Sequence, residues 1–293
     1  MVDVMRGRQI YILATVALMV GGAAARPSAQ RAADRVRGEP GVMSVRAEEC
    51  RTQSTADVRR RIVDLALQEW TFFGSRITDP AEIEDDPPSF FGAGRRPRLT
   101  PAEAARVAPS IAGYWAVTPE GSWIVARQND RWKGEDGVAA RWNAPWSAAF
   151  ISWVMCEAGL GTTALFQRAI AHHAYIDQAI RARDGRAPGA AFIAYDAGET
   201  AITPGDLLCS SRRPVYRTLA ERRRQMGVGA RSHCDVVVKI DEPAARIHAV
   251  GGNVRGVVSL KRLPAVRAPG GLRVEAFDPD RPVFAHLKLR TAS

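Results

Sequence analysis

Residues 233–263 read HCDVVVKIDEPAARIHAVGGNVRGVVSLKRL, and this stretch decides the fold class. CDVVVKI, RIHAVGGNV and GVVSLKRL are short runs rich in β-branched residues, separated by proline, glycine and charge, the pattern of strands joined by turns. GDLLCSS at 205–211 reads the same way. Upstream the period is different. Between Ala56 and Phe73, residues Val58, Ile62, Val63, Leu65, Ala66 and Trp70 recur at helical spacing, and Gly74 follows as a stop. Phe150, Ile151, Val154, Met155 and Ala158 form a second helical stripe from Ser147, closed by Gly159. A third helix is expected over Thr163 to Arg183. Helices first and an antiparallel sheet afterwards make the fold class α+β.

The chain has 293 residues, 46% hydrophobic and 25% charged, enough to bury a sizeable core and far from a disordered composition. Its first residues place Arg6 and Arg8 before an apolar run that ends in small residues, the layout of a secretory signal peptide. The alternative is a retained anchor, but the run is short and interrupted by Gly21 and Gly22. The expected organisation is a signal peptide over 1–26, a linker or loosely held arm over 27–55, and one α+β domain over 56–293. The expected location is periplasmic or secreted, with membrane contact only through an uncleaved signal segment.

The formal charge of +10 comes almost wholly from arginine. An exported basic protein is drawn to anionic envelope material such as peptidoglycan or another envelope component. The basic runs Arg59–Arg61 and Arg222–Arg224 are short and lack interleaved aromatics, so no nucleic-acid partner is expected and both read as solvated faces. Cys50, Cys156, Cys209 and Cys234 allow three complete pairings in an oxidising compartment. They show no CxxC spacing, so neither a metal nor another cofactor is expected. The acidic cluster Glu82, Glu84, Asp85 and Asp86 stands in a proline-rich loop and reads as solvated. Tyr114, Trp115, Trp123, Trp132, Trp142 and Trp146 suggest either an aromatic groove or ordinary core packing.

Three segments occur in order: PWSAAFISWVMCEAGL from Pro145, TPGDLLC from Thr203, and SHCDVVVKI from Ser232 followed by HAVGGNV. Together they resemble cysteine peptidases and amidases of the NlpC and CHAP types. The resemblance implies a papain-like core, with Ser147 where the cysteine nucleophile stands, Pro204 to Leu207 on the PGDL element, His233 as general base and Asn253 as the residue orienting it. The chain is also similar, from about Arg59 to Leu263, to the bacterial domain of unknown function 2272, on the stretches WSAAFISWVM, HHAYI, PGDLLC, HCDVVV and GGNV.

The layout also makes chemical sense without a name. A helix N-terminus offers free N–H groups and partial positive charge to an attacking oxygen and a developing oxyanion. A strand histidine can take the proton, and an amide can hold its tautomer. The expected function is therefore an exported cell-envelope hydrolase of amide or ester bonds, peptidoglycan peptides among them, with a Ser147–His233–Asn253 triad. The departure from cysteine matters, because a hydroxyl ionises far less readily than a thiol and needs concerted base catalysis. The alternative is an inactive papain-like module binding wall peptide or a protein partner. Other readings stay open at each residue. Ser147 is a good helix cap and Asn253 a good turn former. Trp146, His172 and Tyr175 are candidates to line a substrate cleft, against solvated histidines on a helix face.

Overall fold

A computed structural model describes residues 31–50, 53–54, 56–78, 99–139, 141–275 and 280–290. The expected signal segment and the acidic cluster at 82–86 lie outside the described residues. Two short strands, β1 (Val36–Arg37) and β2 (Ser44–Val45), precede helix α1 (Val58–Phe72) and strand β3 (Ile77–Thr78). Helices α2 (Pro101–Ala116), α3 (Gly121–Trp132), α4 (Ser147–Glu157) and α5 (His173–Arg183) follow. The strands are β4 (Phe192–Asp196), β5 (Leu207–Arg213), β6 (Arg231–Asp241), β7 (Arg246–Val254), β8 (Val257–Ala268), β9 (Gly271–Val274) and β10 (Val283–Leu289), with the short α6 (Leu219–Arg223) after β5.

The large sheet runs β3-β8-β7-β6-β5-β10-β4, with β9 paired to β8. Only the β3–β8 pairing is parallel; the others are antiparallel. The α+β expectation therefore holds, with one parallel edge that the sequence reading did not contain. Residues on β6 alternate faces, as a period of two requires. Cys234 and Val236 join the main core with the helices, whereas Val237 joins a smaller core with Leu208, Ile247, Ala249 and Leu263. Helix α4 is buried along its whole length, which explains an apolar content too even for a surface helix. No helix among the described residues is long and apolar enough to cross a membrane.

Three expectations need correction. Residues 31–50 are no loosely held arm. Arg35 is fully buried, its Nε 2.9 Å from Glu157 Oε1 and its guanidinium also donating to the carbonyls of Ala47 and Glu49. Cys50 is disulfide-bonded to Cys156 at the end of α4. The Thr163–Arg183 helix shrinks to His173–Arg183 because side chains take the backbone groups a longer helix would use. Gln178 donates to the carbonyls of Thr163 and Ala164 and accepts from Gln167 N–H, while Ser152 bonds both backbone groups of Ala169. The basic runs, lastly, are not simply solvated. Arg222 is 1% exposed and makes a two-pronged pair with Asp177, both contacts 2.7 Å. Arg59 ties α1 to Asp206 at 2.8 Å.

Candidate functional site

Ser147 opens α4, with Trp146 as the capping residue and no side-chain cap on the helix. Its hydroxyl is not spent on the backbone. Ser147 Oγ lies 2.7 Å from Nε2 of His172, the residue that introduces α5. The sequence-expected partner, His233, is bonded elsewhere, so the Ser147–His233 pairing is replaced by Ser147–His172.

The other ring nitrogen of His172 decides its proton. The backbone N–H of Cys234 points at Nδ1 from 3.2 Å, and the Tyr175 hydroxyl bonds the same atom. A backbone N–H only donates, so Nδ1 carries a lone pair and the neutral ring holds its hydrogen on Nε2, donating it to Ser147 Oγ. The ring is neutral because burial pushes its pKa well below the ordinary value. Neighbouring His233 adds to that shift, and Asp235 only partly opposes it.

Next to this pair stands a second one. His233 Nε2 is 3.0 Å from Asp235 Oδ1, and Lys261 Nζ is 2.8 Å from Asp235 Oδ2. Residues 233 and 235 share a face of β6, and Lys261 sits on β8, one strand beyond β7. Lys261 reaches across because β7 presents Gly251 there. A Cβ on Gly251 would stand 1.9 Å from Asp235 Oδ1 and 2.9 Å from His233 Nε2. Burial opposes the Asp235 charge, but Lys261 and His233 outweigh it and hold the carboxyl far below the usual carboxylate range. Burial and Lys261 keep His233 below its ordinary value despite Asp235. The rings of His172 and His233 lie 5.3 Å apart, and both pKa values are held below the ordinary histidine value beside one anion and one cation.

The remaining expected site residues take structural places. Asn253 has φ +56° near the end of β7, where the β7–β8 register shifts between Gly251 and Val254, the left-handed conformation asparagine tolerates, and the residue bonded to the His233 ring is Asp235. Gly252 before it lets β7 approach α4, since a Cβ would meet the Phe150 side chain at 2.6 Å. Trp146 is 2% exposed and packs on Phe73 and Tyr114, both 5.8 Å away, so it forms the wall behind Ser147 rather than a cleft lining. Tyr175 is 1% exposed and stacks on Phe166 while holding His172. Both Tyr175 and His172 are buried. Asp206 of the PGDL element collects Arg59, Thr203, His286 and the Leu289 N–H, and so anchors α1 and β10 to the start of β5.

All four cysteines are paired, Cys50 with Cys156 and Cys209 with Cys234, the second pair standing directly opposite each other on β5 and β6. No thiol is left to replace Ser147. Among the described residues no group of three or more His, Cys, Asp or Glu side chains is placed to hold a metal ion. The family described as an uncharacterized protein conserved in bacteria (DUF2272) matches residues 106–289, a span that includes Ser147, His172, Tyr175, His233, Asp235 and Lys261. No curated protein and no solved structure matches the chain. With well over half of its length covered, the chain belongs to the family of domain of unknown function 2272.

Proposed function

We propose that this protein is an exported cell-envelope hydrolase of amide or ester bonds, built on a papain-like core of the NlpC/CHAP type, with Ser147 as nucleophile and His172 as its base. The observation that carries the reading is the 2.7 Å contact between Ser147 Oγ and His172 Nε2 at an uncapped helix start. In the reaction, Nε2 takes the hydroxyl proton as Oγ attacks the substrate carbonyl. The oxyanion develops near the unsatisfied N–H groups of the first turn of α4. His172 then returns the proton to the leaving amine or alcohol, and water releases the acyl group by the same route. Peptidoglycan peptides are the substrate class in keeping with an envelope location. Two disulfides support export, since such bonds persist in oxidising compartments.

The base must first lose its Nε2 hydrogen. Its reactive tautomer carries the proton on Nδ1, where Tyr175 Oη can accept it, at the cost of the Cys234 N–H bond. An unsatisfied buried N–H costs about 1–3 kcal/mol, which lowers the reactive population by roughly 5- to 150-fold. That magnitude gives a slow hydrolase rather than a dead one. The second reading, an inactive module that binds wall peptide or a protein partner, is favoured by the same observation, because the resting tautomer donates to Ser147 instead of activating it.

A fluorophosphonate probe separates the two readings. Labelling of wild type that disappears in Ser147→Ala, and falls at least about tenfold in His172→Gln, supports the hydrolase. Absence of labelling in a folded wild-type chain, together with retention of wall-peptide binding, assigns the inactive module. His233→Gln is expected to slow labelling less than His172→Gln; the reverse order restores His233 as the base.

A further inference from the structure

Helix α3 carries Trp123, Arg127 and Arg131 at positions i, i+4 and i+8, which places them along one face. With Ile124, Gln128 and Asn143 they line a cleft of about 210 Å³. Trp123 is 59% exposed, whereas Trp115, Trp132, Trp146 and Trp153 are buried. The guanidinium of Arg127 lies over its ring, 4.7 Å from the centroid. Among the described residues neither Arg127 nor Arg131 has a carboxylate partner, and the intervening Asp130 is engaged by Lys133 at 2.9 Å. The wall is fixed in advance. Gln128 spans from the Arg141 carbonyl to the Asn143 N–H, at 3.3 and 2.9 Å, so its amide does not have to reorganise for a ligand.

An exposed indole beside two guanidinium groups that lack carboxylate partners matches a ligand that presents a ring to the indole and an acid to the arginines. The volume is below the roughly 300–1,000 Å³ of a drug-sized pocket and suits a single ring unit. A nucleic-acid strand is disfavoured, because such strands are held by successive stacking aromatics along a basic groove, and among the described residues Trp123 is the only aromatic lining this cleft. We propose that the α3 cleft binds one acidic sugar unit of a glycan, its ring stacked on Trp123 and its carboxylate held by Arg127 and Arg131.

The test is calorimetric titration of the full mature chain with an oligogalacturonide trimer, neutral maltotriose and oligothymidylate. The oligogalacturonide is expected to bind in preference to both others. Its affinity should fall about tenfold or more in Trp123→Ala and in the Arg127→Gln/Arg131→Gln double variant. Trp123→Phe, which keeps a stacking face, should stay within about threefold. These are surface positions, and an unchanged thermal midpoint reports an intact fold. Equal binding of maltotriose, tighter binding of oligothymidylate, indifference to Trp123→Ala, or no binding at all overturns the proposal. Ser147→Ala should leave the titration unchanged, so the outcome is independent of the hydrolase reading.

Discussion

At the scale of single residues, the proton on His172 governs what Ser147 can do. Nitrogen-15 chemical shifts should report the Nε2–H tautomer in the resting protein, and a Nδ1–H ring would remove the barrier argued above. Tyr175→Phe takes away the acceptor of the reactive tautomer. The expected result is a fall in kcat of about tenfold or more with little change in KM. An unchanged kcat would confine Tyr175 to packing. The pH dependence has a definite sign. His172 must be neutral to act as a base, and its pKa is depressed by burial and by His233. The acid limb of any activity profile should therefore lie below pH 6.5, the ordinary histidine value. Asp235 adds a stability effect with the same direction. Its folded-state pKa is depressed, so its stabilisation is fully present above the ordinary carboxylate value and lost as pH falls below it. Asp235→Asn should flatten that acid loss, measurable as unfolding midpoint against pH. Much of this was legible in the sequence, and some was not. Ser147 stands out because a helix start has local signals. His172 does not, since helical spacing cannot tell which distant group a side chain will meet. Asp235 had a usable signal, the H-x-D alternation that puts both side chains on one face of a strand.

At the scale of elements, two contacts carry opposite lessons. Helices α1 and α2 meet through Glu69 and the Tyr114 hydroxyl, buried between them. Burial raises the Glu69 pKa to about 7, although Tyr114 pulls it down in part. A raised acid pKa means the folded state binds the proton more tightly, so this contribution is complete below the unfolded value and lost as pH rises from about 4.5 to about 7. Glu69→Gln should be nearly neutral at pH 4 and should stabilise above pH 7 by an amount on the order of 3 kcal/mol. Thermal midpoints of the two proteins across that range check it, and parallel curves would place the titration elsewhere. The end of β7 teaches the other lesson. GGN looks in sequence like a turn but lies within β7, at a shift of register where Asn253 takes a left-handed φ, and the two glycines make room for Asp235, His233 and Phe150. Gly251→Ala should cost about 1–3 kcal/mol through forced displacement, read from denaturant midpoints. Periodicity made the strands and α4 legible, while the early end of the helix before His173 depended on Gln178 and Ser152 reaching neighbouring backbone.

At the scale of the molecule, the N-terminal segment is fastened to the far end of α4 by a buried arginine–glutamate pair and a disulfide spanning 106 residues. A loop of that length corresponds to about 4–5 kcal/mol of restricted unfolded-chain entropy. Replacing Cys50 and Cys156 by alanine should lower stability by several kcal/mol and expose residues 31–50 to limited proteolysis ahead of the sheet. Equal protease resistance would show that Arg35 and Glu157 suffice. The even cysteine count allowed complete pairing, but the connectivity depends on which elements pack together, information that no spacing rule contains.

The connectivity has a further consequence for how the chain matures. In sequence order the first cysteine joins the second and the third joins the fourth. A chain delivered N-terminus first to an oxidant that links thiols as they arrive acquires the native pattern directly. Under the proposed export, production should need an oxidase and no isomerase, and loss of a disulfide-shuffling enzyme from the host should leave the yield unchanged; a fall in yield would show that non-native pairs form first.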